Sequence, residues 1–494
     1  MAFSNFTKSA ENANLSTFTL SPINVSYANT LRRIILTGVE TVAFRSDMTS
    51  TGSTTHVVVK HNDTPMTNEM LADRIGLVPI TITEPLTWKG DNYTFTLDVK
   101  NDSDSTRYVS ASDFKIVKNV KIDAEEKDED VTSQTNFFPV NPLTGETALI
   151  AALQPRSGTT VQRIELVAKA SKGTGREHAR FSPVSQCSYE YSVDEDPERL
   201  EDMFFKWVSV AKKIENIDKE SEKYNVLIRE FNTMQRKRCF LINEKGEPYS
   251  FDFTVETVGV LPVSYIVRRA CEVAENMCSM YVNLDKSVPS EVTITSTDSR
   301  IIGYDFLFRG HDHTLGNLLQ TWLVENHIEG NATPKITYAG YSIPHPLRDE
   351  MLLRVGVSDD EESTARNAVA TAAKGCVEMF KKLRLAWDKS LGIAPMQQVS
   401  QAKKPTKPSK ETKAQVKPVT VSAPAIYPEE KEEAPLEPAQ TEQVALPEPS
   451  APSDPLVPFA PSVPSVPSVP SVPSVPVAPE SKPKKSRSKM QFID

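Results

Sequence analysis

The chain has 494 residues, a net charge of −9, five cysteines and 36 prolines, enough length for two to four domains with real cores and a charge balance that gives no overall attraction for nucleic acid. The amino terminus lacks the basic start and apolar run of a secretory signal, and no stretch approaches the roughly 18 apolar residues of a membrane span. The cysteines are odd in number and never form a Cys-x-x-Cys pair, which points to an intracellular, reducing compartment and away from a disulfide framework or a zinc ribbon.

In chain order, "SPINVSYANTLRRIILTGV" (Ser21–Val39) predicts a helix, with Ser21 as cap, Pro22 in the first turn and Gly38 as stop. Val25, Ala28, Leu31 and Ile35 recur at helical spacing. Strand-like "TVAF" and "THVVVKH" follow. Then "TNEMLADRIGLVPI" (Thr67–Ile80) reads as a short helix, a break at Gly76 and a strand. From about residue 81 to 240 strands dominate, with "YTFTLDV" alternating cleanly and "QRIELVAKA" approximately. The acidic runs Asp123–Asp130 and Asp194–Asp202 read as exposed loops, and one long helix is expected over Asp202–Gln235. "YSFDFTVETVGVLP" returns to strand and "VSYIVRRACEVAENMCSMYVNL" to helix, with Cys271 and Cys278 on one face as buried thiols.

A second unit starts near Val292 with the strands "EVTITST" and "YDFLFRG". The helix inside "RGHDHTLGNLLQTWLVENH" (Arg309–His327) comes next, then "KITYAGYSIPHPLRDEMLLRVGV". A long closing helix runs from Asp359 to about Asp388, with Ala365, Val369, Ala372, Val377, Phe380 and Leu383 among its apolar positions. Near Met396 the composition changes. From there on glycine, cysteine and tryptophan are absent, 20 of the 36 prolines lie beyond residue 400, and five Ser-Val-Pro triplets run from Ser462 to Pro476. Such a segment buries too little apolar surface to offset chain entropy, so 397–494 is expected to be a disordered, partly polyproline-II tail. Its basic end, Lys482–Lys489, reads as a solvated terminus, a nuclear signal or a nucleic-acid toe-hold.

His311, Asp312 and His313 admit two readings. A metal site needs three or four convergent ligands, which His327 or His345 would complete only through the fold. A helix start needs just Asp312 or Thr314 to accept from free amide groups, and this is the better reading. The glycine-basic run "SKGTGREHARFSP" reads as a surface turn or a phosphate cradle, although its spacing matches neither common nucleotide motif. "YAGYSIPHPL" (Tyr338–Leu347) is a stiff turn or a partner contact. "ANTLRR" (Ala28–Arg33) and "GNLLQT" (Gly316–Thr321) form a faint repeat, each in the first helix of its unit. The second apolar stripe is Leu315, Leu318, Leu319, Trp322 and Leu323. At roughly 1.5–3 kcal/mol per buried side chain, the two stripes either hold the units together or pack on separate sheets.

"NTLRRIIL…EMLADRIGLVPI", "AKASKGTGREHARFSPV" (Ala168–Val184) and "DFTVETVGVLPVSYIV" together resemble the alpha-like, third-largest subunit of cellular RNA polymerases, the archaeal D type. "HDHTLGNLL…YAGYSIPHPL…LLRVGV" resembles its small partner, the archaeal L type or eleventh eukaryotic subunit. The resemblances cover about 20–285 and 290–390. Two departures stand out. The families are normally separate chains, and their fusion resembles polymerases of some large DNA viruses. Residues 81–186 also hold no cysteine cluster, so no metal is implied.

The resemblance implies an α+β fold with two dimerisation domains paired in one chain: 15–80 with 241–285, and 290–392. An inserted β-rich domain (81–240) splits the first, and the tail follows at 397–494. It implies a non-catalytic assembly platform for DNA-directed RNA polymerase, against which the residues alone leave a proline-tail interaction scaffold unrelated to polymerase, or a histidine-dependent metalloenzyme, as alternatives. The partners would be the largest, second-largest and other small subunits, with DNA and RNA met only through the complex and no membrane contact. No cofactor is expected in this chain, since magnesium and any zinc would sit in other subunits. Asn29, Leu31, Arg32, Arg33, Gly76, Lys172, Gly173, Gly175, Arg176, Glu177 and His178 would meet other subunits. Val25, Ala28, Ile35, His313, Thr314, Leu315, Gly316, Asn317, Leu318, Leu319 and Trp322 would pair the two halves.

Overall fold

The computed structural model describes residues 2–47, 56–122, 125–131, 137–141, 143–297 and 300–392; the expected tail at 397–494 lies outside them. Strands β1 (Ala2–Lys8) and β2 (Leu15–Ser21) form an antiparallel hairpin that leads into helix α1 (Val25–Thr37). Asn24, not Ser21, caps α1, its side chain accepting from Ser26 N–H at 2.8 Å, and Gly38 ends it. Pro22 and Ile23 lie outside the helix, and Ile23 N–H donates instead to Tyr249 O at 2.9 Å.

The chain then leaves this layer. It forms β3 (Glu40–Phe44), β4 (Val57–Asn62), α2 (Asn68–Gly76), β5 (Tyr93–Lys100), β6 (Arg107–Ser110), β7 (Lys115–Ile122), β8 (Glu125–Asp130), β9 (Leu149–Leu153), β10 (Arg163–Ala168) and β11 (Ala170–Thr174). A five-stranded sheet of order β4-β10-β5-β7-β8 is joined by the pairs β3–β11 and β6–β9. The β10 pattern of alternating buried and half-buried residues shows why these segments are strands: Ile164, Leu166 and Ala168 turn to the core. The acidic run after Asp123 is not a loop, because Glu125–Asp130 pairs with β7 as the outermost strand of the sheet. An edge strand needs no apolar alternation, and charge there discourages pairing with other chains.

The chain returns through β12 (Val184–Tyr191), makes a helical hairpin of α3 (Pro197–Lys212) and α4 (Glu222–Met234), and closes the first sheet with β13 (Phe251–Thr257) and α5 (Val263–Ser279). That sheet has the order β1-β2-β13-β12. The second acidic run is helix rather than loop: Asp196 caps α3 and Pro197 opens it. The single helix expected over Asp202–Gln235 is two. Lys213 ends α3 in the left-handed region (φ 56°), and Ser221 caps α4 by accepting from Tyr224 N–H.

The last part contains β14 (Val292–Ser296), β15 (Gly303–Arg309), α6 (His313–Leu323), β16 (Tyr338–Ser342), β17 (Glu350–Gly356) and α7 (Glu362–Ser390). Its sheet is four-stranded, β14-β15-β17-β16. Each half is therefore a mixed layer of one antiparallel sheet and two helices.

Three apolar cores result. One runs without interruption through both four-stranded sheets and α1, α5, α6 and α7. A second lies in the segment between β3 and β11 and includes Leu71, Ala72 and Ile75 of α2. The third joins Phe204 and Val208 to Leu227 and Phe231 in the α3–α4 hairpin. Core membership crosses the limits expected from sequence. β4 and α2 pack into the second core although they fall within 15–80, and β12 belongs to the first sheet although it falls within 81–240. After α2, Val78 and Ile80 are buried, but Val78 N–H turns back to Ile75 O at 3.0 Å and neither residue joins a strand among the described residues, unlike the strand expected there.

Candidate functional site: the seam between the halves

Two helix pairs build the seam: α1 packs on α6, and α5 runs along α7. Ala28, Leu31 and Ile35 of α1 are fully buried and Val25 is half-buried against the same core. Opposite them Leu315, Leu318, Leu319 and Leu323 are fully buried. Trp322 is half-buried, 6.4 Å from the Tyr27 ring. It lies on Gly375 of α7, where any Cβ would collide with the indole. A side chain at Gly316 would likewise strike Tyr341. The stripes also touch their own sheets, α1 on β12 and α6 on β16 and β17, so the two alternatives set by sequence coexist in one core.

Polar contacts frame this apolar seam. Arg33 Nε donates to Thr314 Oγ1 at 2.9 Å, and its Nη2 lies 3.3 Å from Asp312. Asn24 and Tyr27 both donate to Glu325, at 2.8 and 2.6 Å. Arg176 bridges to Gly310 O and Asp349, each at 3.1 Å. Between α5 and α7, Arg384 meets Glu275 at 2.7 Å, Arg268 meets Asp388 at 3.2 Å, and Trp387 Nε1 donates to Ser264 O at 2.9 Å. The Trp387 indole is fully buried among Phe3, Phe6 and Phe18 of the other half.

The seam perturbs its titratable groups. Burial opposes ionisation of Asp312, yet Thr314, Arg33 and Arg176 hold its carboxyl below the ordinary range. Burial likewise opposes ionisation of Glu40, and Arg269, at 2.9 and 3.0 Å, holds that carboxyl down. Burial and then the charge of Arg176 push His311 down. Burial pushes Tyr281 up to about 12, and its hydroxyl shares a 2.6 Å hydrogen bond with His311 Nε2. Burial and Glu325 push Tyr27 up strongly.

The histidine motif splits apart. Asp312 caps α6 by accepting from Thr314 N–H at 2.7 Å. His311 points to Tyr281, exposed His313 to Tyr341, and buried His327 to Pro334 O. Among the described residues no three His, Cys, Asp or Glu side chains are placed to share a metal ion.

The residues expected at other subunits are scattered. Arg33 and Arg176 are engaged across the seam. Gly76 is buried against Ser46 and Arg180 and Gly173 against the Phe181 ring, while half-buried Gly175 lies close to Leu36 O. Exposed Glu177 pairs with Arg45, whose guanidinium lies 4.9 Å over Phe181. His178 accepts from Arg180 N–H at 3.1 Å, and Lys172 is exposed on β11. Leu31 is fully buried, so it has no surface to offer. Asn29 and Arg32 border an opening beside β12, and Asn317 is half-buried on α6.

Sequence reasoning missed Glu325, Glu275, Arg384 and Trp387. Only Trp387 left a signal: it continues the α7 stripe one turn beyond Leu383.

Comparison with known proteins places these elements in context. Two models described as the RNA polymerase Rpb3/Rpb11 dimerisation domain match the chain, one over residues 17–278 and one over 304–385. Subunit 3B of DNA-directed RNA polymerases IV and V from Arabidopsis thaliana is 25% identical over 308 residues, 56% of this chain and 89% of that protein. Subunit Rpo3 of DNA-directed RNA polymerase from Methanopyrus kandleri is 25% identical over 291 residues, covering 56% and 94%. Human subunit RPAC1 of DNA-directed RNA polymerases I and III is 26% identical over 303 residues, covering 54% and 80%.

Proposed function

The chain belongs to the RNA polymerase Rpb3/Rpb11 dimerisation-domain family, and from that membership we propose that it is the assembly platform of a multisubunit DNA-directed RNA polymerase. In this reading it unites an alpha-like third-largest subunit with its eleventh-type partner, a fusion of the kind found in large DNA viruses. The paired halves dock the largest and second-largest subunits, which hold the catalytic magnesium, and other small subunits join around them. DNA and RNA are met only through the complex, in an intracellular, reducing compartment.

One observation carries the reading. The segments matched by the two family models, 17–278 and 304–385, contribute to a single core through α1 on α6 and α5 on α7. Joining the halves sets their effective concentration at about millimolar, so pairing no longer depends on balanced synthesis of two chains. What the chain contributes to transcription is shape: a rigid two-sheet block presenting fixed surfaces to larger chains.

The test is reconstitution. The tagged full chain is co-expressed with the largest and second-largest polymerase subunits of the same genome. A complex that contains all three and transcribes a template with magnesium is the expected result. Large subunits that assemble and transcribe equally well without this chain would overturn the proposal.

A further inference from the structure

β12 is the last strand of the first sheet, and its outer edge carries no partner strand between Gln186 and Tyr191 among the described residues. Thr257 N–H donates to Asn14 O on the β2 side. By the alternation of an antiparallel ladder, Asp252, Thr254 and Glu256 then face β12 and bond its Glu190, Ser188 and Gln186. The main-chain groups of Cys187, Tyr189 and Tyr191 are left directed outward. The same edge is extended just beyond this point: Leu241 N–H donates to Ser192 O, and Asp194 N–H donates to Cys239 O. After Ile242 the chain turns back on itself, with Ile242 opposite Pro248, and leaves the rest of the edge open.

An opening of about 450 Å³ follows that edge, lined by Asn29 and Arg32 of α1 and by residues 187–191. Arg32 Nε donates to Asn29 Oδ1 at 2.9 Å, and no carboxylate pairs with its guanidinium among the described residues. An unpaired guanidinium beside a row of free N–H and C=O groups matches strand addition, in which main-chain bonds give affinity and a side-chain pocket gives selectivity.

We propose that the β12 edge receives an extended segment of a large polymerase subunit as an added strand, with an aspartate or glutamate of that segment held by Arg32. This rests on the assembly function above and adds the mode of contact. The guest completes the sheet under α1, in line with Cys239–Leu241 and antiparallel to β12. Its carboxylate supplies the planar, bidentate partner that the guanidinium lacks.

The test uses the full chain, free and in the reconstituted complex, with hydrogen exchange read over residues 184–191. Strand addition slows the outward amides at least about tenfold in the complex. Arg32→Glu weakens the complex by at least about tenfold and Arg32→Lys by less, while both variants melt like the parent because Arg32 makes one local hydrogen bond. Tyr191→Pro removes an outward N–H from an edge position that tolerates proline and weakens the complex similarly. If the complex forms with unchanged exchange over 184–191, strand addition is overturned while the assembly function stands. If the amides are already slow in the free chain and speed up when 397–494 is deleted, the chain's own tail fills the edge and the inference falls. If no complex forms, the assembly reading itself falls and takes this inference with it.

Discussion

Removing the Trp387 side chain should separate the halves more effectively than any other single truncation at the seam. The indole belongs to α7 but is enclosed by the first half, with edge-on contacts to Phe3, Phe6 and Phe18 at 4.9, 5.4 and 5.1 Å and a 2.9 Å hydrogen bond to Ser264 O. Truncating a buried tryptophan to alanine costs about 3–5 kcal/mol. The three ring pairs, at about 0.5–1.5 kcal/mol each, and the hydrogen bond to Ser264 O, at about 0.5–1.5 kcal/mol, are overlapping parts of that figure, not additions to it. Trp387→Phe keeps most of the ring contact and loses the hydrogen bond, so about 1–2 kcal/mol is expected. The assay places a protease site in the connection between Lys286 and Pro289, cleaves the folded chain and measures the affinity of the two pieces. Trp387→Ala should weaken that affinity by about two to three and a half orders of magnitude, at 1.4 kcal/mol per tenfold. Pieces of the alanine variant that bind within fivefold of the parent (about 1 kcal/mol) would refute the view that α7 is anchored through this ring.

Four further outcomes follow from the same structure. Leu315→Asp with Leu319→Asp puts two unpaired charges into the seam, at several kcal/mol, and should split the cleaved chain or unfold its second half; an unaltered melting curve would count against the mating of α1 and α6. Gly316→Ala should destabilise despite alanine's better helix propensity, because the added methyl meets the Tyr341 ring; a rise in melting temperature would show that the ring moves freely aside. Lys213→Gly should stabilise the α3–α4 hairpin by about 0.5–1 kcal/mol, since glycine adopts the left-handed region without penalty; hydrogen exchange in α3 reads this out. The pH dependence has two steps. His311 is held below its ordinary 6.5, so the stability tied to its neutral form is complete above 6.5 and lost as pH falls below it. Glu40 and Asp312 are held below their ordinary 4.5 and 3.8, so their contribution is present above those values and lost as pH falls through the folded-state ones. His311→Gln should shrink the first step in a pH series of unfolding midpoints, leaving the share of His56, which burial and then Arg45 also push below 6.5, and should leave the second step unchanged.

The helix stripes were legible because burial on one side of a helix imposes a 3.6-residue period, and Ala28, Leu31 and Ile35, like Leu315 and Leu319, carry it plainly. β8 was illegible because an edge strand takes its bonds from β7 and needs no apolar pattern. The split of the 202–235 helix was hidden because its break uses Lys213 in the left-handed region, with no glycine or proline to mark it. The cap of α1 lies three residues beyond Ser21, since Ser21 and Asn24 are equally good cap types and the Ile23–Tyr249 hydrogen bond that keeps residue 23 outside the helix joins distant parts of the chain. The candidate site was legible only as grease. Its polar frame joins residues such as Asn24 and Glu325, 301 positions apart, and no local pattern foretells such pairs. Arg33 and Arg176 show the converse: the resemblance marked them as contacts to other chains, and the fold also engages them within this one.

The seating of Trp387 in the aromatic cage of the first sheet has a consequence for biosynthesis. Phe3 and Phe18 leave the ribosome hundreds of residues before the helix that shields them, whereas the β3–β11 module and the α3–α4 hairpin hold cores of their own and can mature as they emerge. The nascent amino-terminal layer must therefore wait, sticky and incomplete, until α7 is translated, and during that interval it is a natural client for chaperones.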